Sequence, residues 1–210
     1  MFLVSRTPVG IIMPRLITFG CSFTYGLGLP DCIDTGTEWS SPSNFAWPNL
    51  LANKLNYQLK NESYPGSSNL EILYRILNFK FEQDDVVVIM WTVPPRDMYF
   101  QPFGKLYRRL GIWMRDRFAK KWILSINDQD YTQRTWIYIH HADLYLKNLK
   151  VKYLHCPAYS YDDKPDYLNI ENFYHNSIVE IDKALDNAHP GIASHEQISK
   201  KIFNYIYEQQ

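Results

Sequence analysis

No stretch of this sequence stays apolar for the ~18 residues that a membrane-spanning helix requires. Cysteine is scarce: Cys21, Cys32 and Cys156 are the full complement. An odd number with no metal-like spacing argues against a disulfide framework and against a metal site. Excess charge of either sign is missing too. Lysine and arginine total 22, and aspartate and glutamate total 22. Nothing therefore steers the chain toward nucleic acid or an anionic membrane. There is no internal repeat, low-complexity tract or dividing linker. No glycine-rich phosphate loop follows the first expected strand, where Cys21-Ser22-Phe23-Thr24 stands instead, so a nucleotide-binding domain is a poor reading. The opening residues, interrupted by Arg6, Pro8 and Pro14, carry no clear signal-peptide pattern, and the expected location is cytoplasmic. Residues 1–14 read as an N-terminal extension, with Met13 as an alternative start. Residues 15–210 read as one domain, long enough for a well-formed core.

Aromatic residues are abundant, with 16 Tyr, 11 Phe and 6 Trp. Two readings stand: a bulky core, or a surface that stacks on sugars or apolar ligands. Apolar runs at Leu16–Phe19, Val86–Trp91 and Val151–Cys156 predict strands, and Tyr57–Glu62 reads as another. Val86–Trp91 is apolar on both faces, as a central parallel strand should be. Helical periodicity marks residues 45–55, 70–81, 133–149 and 192–207, and residues 170–185 are expected to be partly helical. Strands alternating with helices imply right-handed crossovers and a parallel sheet covered on both faces. Ligands bind beyond the carboxyl ends of such strands. Ser22, Gly66, Thr92 and the segment after Cys156 each follow a strand, so they should share that edge. Residues 97–130 resist assignment. They combine aromatics with a local basic excess and read either as a solvated face or as an insert that covers the site.

Ser22 lies just past the break at Gly20, where an α/β protein can present a nucleophile. A serine is weak alone; it needs a base, and the base needs an orienting acid. Asp186-Asn-Ala-His189 supplies both at a spacing that lets a carboxylate fix the imidazole tautomer. The alternative is a turn capped by Asp186 with His189 on the surface. His195 reads as a helix-start or packing residue. His140-His141 and His155-Cys156 belong to no recognisable metal-ligand set.

Taken together, Gly20-Cys-Ser-Phe-Thr24, Gly66, and Asp186-x-x-His189 followed by Pro-Gly and a helix resemble the SGNH/GDSL hydrolase superfamily. The resemblance implies an α/β fold: a flavodoxin-like, three-layer α/β/α sandwich on a mostly parallel sheet of about five strands. It implies a serine esterase that needs no cofactor and no metal. Ser22 is then the nucleophile, His189 the general base and Asp186 the orienting acid. The oxyanion hole would use the backbone N–H groups of Ser22 and Gly66. The expected partner is a small-molecule or glycan ester, with a carbohydrate O-acetyl or a lipid-like acyl group. Transfer to another alcohol, or a binding protein that has lost efficient catalysis, are the alternatives.

Two departures from the family pattern matter. Cys21 stands where the family usually has Asp. The third block, Trp91-Thr-Val-Pro-Pro-Arg96, lacks the usual asparagine. Asn69 is the substitute donor this sequence offers, although it can equally cap a helix. Thr92 and Arg96 are candidate substrate-binding residues. Arg96 either meets an anionic substrate or pairs with a local acid such as Asp97.

Overall fold

The computed structural model describes residues 13–33, 41–100, 107–111, 113–159, 164–175 and 180–208. Strand β1 (Arg15–Phe19) leads directly into a one-turn helix, α1 (Ser22–Tyr25). Helix α2 (Trp47–Leu55), strand β2 (Gln58–Asn61), helix α3 (Asn69–Asn78) and strand β3 (Val86–Trp91) follow. Pro48 sits in the first turn of α2, where a missing N–H is harmless. Ser68 caps α3 by accepting the Glu71 N–H at 3.1 Å.

After β3 comes an antiparallel hairpin, β4 (Arg96–Tyr99) and β5 (Arg108–Gly111), then helix α4 (Arg117–Ser125). The long helix α5 (Asp128–Leu149), strand β6 (Lys152–Pro157) and the closing helix α6 (Ile192–Glu208) complete the order.

The main sheet has four parallel strands in the order β2-β1-β3-β6. Strand alternation divides the core in two. Ile17, Phe19, Val87, Ile89 and Trp91 face α3 and α5, where they meet Ile72, Ile76, Trp136 and Ile139. Leu16, Val88, Met90, Leu154 and Cys156 face α2 and α6, where they meet Trp47, Leu51, Ile198 and Ile202. This is the expected three-layer sandwich. Much of the aromatic load lies in these layers.

The structure departs from the sequence expectation before the closing helix. Residues 170–185 hold no helix among the described residues. His155 N–H instead donates to Asn172 O at 2.8 Å, and Tyr174 N–H donates to His155 O at 2.8 Å. Phe173 thereby forms a one-residue parallel bridge on the free edge of β6 and is buried, so the fifth strand is only this bridge. Satisfying the open sheet edge prevails over the weak helical pattern there. Within residues 97–130, which resisted assignment, the described residues form the hairpin strands, α4 and the start of α5, with a small core of their own around Leu110, Ala119, Ile123 and Tyr131.

The hairpin is fastened to α3 by a buried carboxylate. Glu71 has no solvent exposure. It accepts two bonds from Arg109 (2.7 and 2.7 Å), two from Arg75 (3.2 and 3.1 Å) and one from Tyr107 (3.0 Å). Burial alone would push the Glu71 carboxyl up, but the two guanidiniums and the phenol hold it below its ordinary value.

Candidate active site

Because all four strands run the same way, the turns after them gather at one edge. Tyr64 N–H donates to Gly20 O at 3.2 Å, and Ala158 N–H donates to Trp91 O at 2.9 Å. The turns carrying Ser22, Gly66, Thr92 and Tyr159 therefore lie side by side. A cavity of about 380 Å³ lined by Tyr57, Val86, Lys152 and Tyr205 lies at the opposite end of the strands.

Ser22 is the first residue of α1, and Cys21 precedes it in extended conformation. The chain can turn this sharply because Gly20 lies against Thr24, with no room for a Cβ. Cys21 is buried in the core beside Phe23, which fits packing rather than nucleophilic attack.

Near the other end of the chain, Asp186 and His189 form a pair. Asp186 Oδ2 lies 2.6 Å from His189 Nδ1, and Oδ1 accepts the N–H groups of Ala188 (3.0 Å) and His189 (3.1 Å). The loop thus folds around its own carboxylate. Burial opposes the charge, but these N–H donors and the imidazole hold the Asp186 carboxyl below the usual range. With the ring proton on Nδ1, Nε2 is left as the acceptor.

Several contacts bring the two chain ends together. The Phe23 ring meets the His189 ring edge-on, with centroids 5.8 Å apart. Leu185 N–H donates to Gly28 O at 3.0 Å. Gly28 itself has φ +85°, and a Cβ there would stand 2.6 Å from Asp186 Cγ. Only glycine permits both that backbone conformation and that approach. Among the described residues no hydrogen bond joins Ser22 Oγ to His189; such contacts are often loose before substrate binds.

Gly66 also has positive φ (+76°), and the Trp113 indole lies 3.6 Å from where its Cβ would be. Trp113 folds back on Gly111, which leaves no space for a side chain. The hairpin thus places an indole over the Gly66 turn. On the other side Tyr159 packs against Phe23, with ring centroids 5.6 Å apart. Burial raises the Tyr159 phenol, and the neighbouring Cys21 adds to the effect.

Asn69 is occupied elsewhere. Its Nδ2 donates to Thr92 O (2.9 Å) and Thr135 Oγ1 (3.1 Å), and its Oδ1 accepts the Thr92 N–H (2.8 Å). With both amide hydrogens used and the side chain buried, Asn69 clamps α3 to the end of β3 and α5 rather than offering a free donor. Thr92 is fully enclosed, so its place is in that clamp and not on the substrate surface. Arg96 lies at the rim, with its guanidinium carbon 4.8 Å from the centre of the Trp113 ring. It forms no ion pair with Asp97, whose oxygens accept the Met98 N–H and the Trp122 indole N–H.

His195 is buried, and its Nδ1 accepts the Trp47 N–H at 3.1 Å. Burial pushes its pKa down to about 4, so it packs as a neutral ring. Asp182, which sequence reasoning did not single out, accepts the Ala193 and Ser194 N–H groups (3.0 and 2.8 Å) and caps α6 from outside the helix. Gly28, Phe23 and Trp113 were also missed as site-builders. Of these only Gly28 left a signal, in the Gly26-Leu-Gly28 turn.

No protein-family model and no curated protein sequence matches this chain. Solved structures do. A carbohydrate esterase, described as having divergent catalytic and non-catalytic binding functions in its active site, superposes with a TM-score of 0.57 at 13% identity. An acetyl xylan esterase from the rumen bacterium Butyrivibrio proteoclasticus gives 0.58 at 12%, covering 96% of this chain. This chain covers 93% of itself against the carbohydrate esterase, and it spans only 65% of the length of each of these two enzymes. A phospholipase A1 from Streptomyces albidoflavus gives 0.54 at 8%, covering 94% of this chain and 100% of that one. The fold of this chain is the SGNH-hydrolase-like α/β/α sandwich that these esterases and lipases share.

Proposed function

We propose that this protein is a serine hydrolase that cleaves a carboxylic ester through an acyl-enzyme intermediate. The observation that carries the reading is the Asp186–His189 pair, 2.6 Å apart, on a loop pinned to the Ser22 turn by Gly28 and Phe23. An oriented imidazole beside an α/β-edge serine is the arrangement that activates a hydroxyl.

In this reading Ser22 Oγ attacks the ester carbonyl as His189 Nε2 takes its proton. Asp186 holds the ring and stabilises the imidazolium that forms. The oxygen of the tetrahedral intermediate faces the backbone N–H groups of Ser22 and Gly66, each worth about 3–4 kcal/mol of barrier. The alcohol leaves with the proton from His189. Water then attacks the acyl group, gives its proton to His189, and Ser22 is restored. Each step uses groups of this chain and water, so neither a metal nor an organic cofactor has a part in it. Carbohydrate O-acetyl esters and lipid-like acyl esters are the candidate substrates, in line with the enzymes of shared fold. The protein's place in the cell is taken as cytoplasmic.

One observation favours a second reading. Asn69, the substitute third oxyanion donor, is tied to Thr92 and Thr135. A scaffold short of one donor would bind esters and turn them over slowly. A fluorophosphonate probe separates the two. Labelling of the wild type that disappears in Ser22→Ala supports the hydrolase. Absence of labelling in both, with ester binding retained, supports the binding protein.

A further inference from the structure

Arg96 is a half-buried cation without a carboxylate partner among the described residues. The other half-buried arginines among the described residues are all paired. Arg15 pairs with Glu82 and Asp85, Arg75 and Arg109 with Glu71, Arg108 with Asp116, and Arg134 with Asp130. Among the described residues Arg96 has only the Trp113 ring and one long contact, 3.5 Å, to the Ser67 carbonyl. Its Nε is buried with no hydrogen-bond partner. A guanidinium carries five N–H donors, and four of these have no acceptor among the described residues. The aromatic face offsets part of the cost of removing the cation from water. It leaves the in-plane donors available for a planar anion.

Its position gives this vacancy a use. Ser67 adjoins Gly66, and the Trp113 indole lies against the Gly66 turn. Arg96 is also close enough for its charge to act on the Tyr159 phenol, and Tyr159 packs on Phe23, which meets His189. The cation therefore stands beside the Gly66 turn. The nearest acid in sequence, Asp97, is occupied by Met98 and Trp122 and does not neutralise it.

We propose that Arg96 binds an anionic group of the substrate, so that the site selects esters carrying an oxyanion such as a carboxylate near the scissile bond. This rests on the hydrolase reading above. Guanidinium and carboxylate match as a two-pronged pair of charge-assisted hydrogen bonds. Binding would supply the missing counter-charge and fix the ester beside Ser22.

The test compares two esters with the same leaving group, para-nitrophenyl acetate and mono-para-nitrophenyl succinate, on the wild type, Arg96→Gln and Arg96→Lys. The ratio of kcat/KM for the succinate over the acetate should fall about 10- to 100-fold in Arg96→Gln, the loss expected for hydrogen bonds to a charged group. Arg96→Lys keeps the charge without the fork and should restore part of the preference. Equal ratios in wild type and Arg96→Gln, with hydrolysis still dependent on Ser22, overturn the anion site and leave the hydrolase intact. If no variant hydrolyses either ester, the hydrolase reading fails and binding decides. Titration with succinate, followed by tryptophan fluorescence, should then saturate in the wild type and not in Arg96→Gln. No saturable change in the wild type, or the same change in both, overturns the proposal.

Discussion

Replacing Glu71 by Gln tests how the hairpin is held over the site. The substitution keeps the shape and removes the charge that serves Arg75, Arg109 and Tyr107 at once. Breaking one partner of a buried ion pair typically costs about 3–5 kcal/mol. The arginine side chains are 18% and 27% exposed, so part of their charge can turn to water. That places the loss at the lower end, about 3 kcal/mol. With a urea slope of about 2–3 kcal/mol/M, the unfolding midpoint should fall by about 1 M. If the hairpin opens on its own instead, hydrogen exchange of the β4 and β5 amides should speed up while the main sheet stays protected.

Acid provides an internal control. The folded-state pKa of Glu71 lies below its ordinary value of 4.5. Its stabilisation is therefore present above that value and is lost as pH falls through the depressed folded-state pKa. Wild type and Glu71→Gln should differ at neutral pH and converge on acidification. A midpoint within about 0.2 M of wild type, with unchanged hairpin protection, would refute the role given to this carboxylate.

Gly28→Ala puts a Cβ 2.6 Å from Asp186 Cγ at φ +85°. We expect about 1–2 kcal/mol of destabilisation and about a 100-fold lower ester turnover from a displaced acid; wild-type kcat would show that Asp186 need not be held there. His195, with its pKa depressed to about 4 by burial, takes up a proton more readily in the unfolded chain. Wild-type stability should therefore fall by up to about 3 kcal/mol as pH drops from about 6.5 to 4. His195→Gln should flatten that part of a pH series of urea melts.

Fold and site were legible to different depths. The strong periodic signals were sound because they are local, whereas the weak helical one over residues 170–185 gave way to the open edge of β6. Val86–Trp91, apolar on both faces, is the central strand β3, and the stripe through Ile72 and Ile76 is the buried face of α3. The serine past β1 and the Asp-x-x-His before the last helix were readable because spacing alone sets what a short loop can join. The hairpin was not, because its anchor pairs residues 38 apart, Glu71 and Arg109. Nor was the occupation of Asn69, whose partners Thr92 and Thr135 come from β3's end and α5.

The sequence by itself determined the alternation of strand and helix, the two-faced core and the chemical types available at the sheet edge. Tertiary structure alone decided which of those groups have their hydrogen-bonding capacity used up. It closed Asn69 and Thr92 into a clamp, set Asp186 on His189, and left Arg96 over an indole without a carboxylate among the described residues. The reason is physical: pattern follows from neighbours along the chain, whereas the satisfaction of a buried donor or charge depends on whichever distant residue packing brings within about 3 Å.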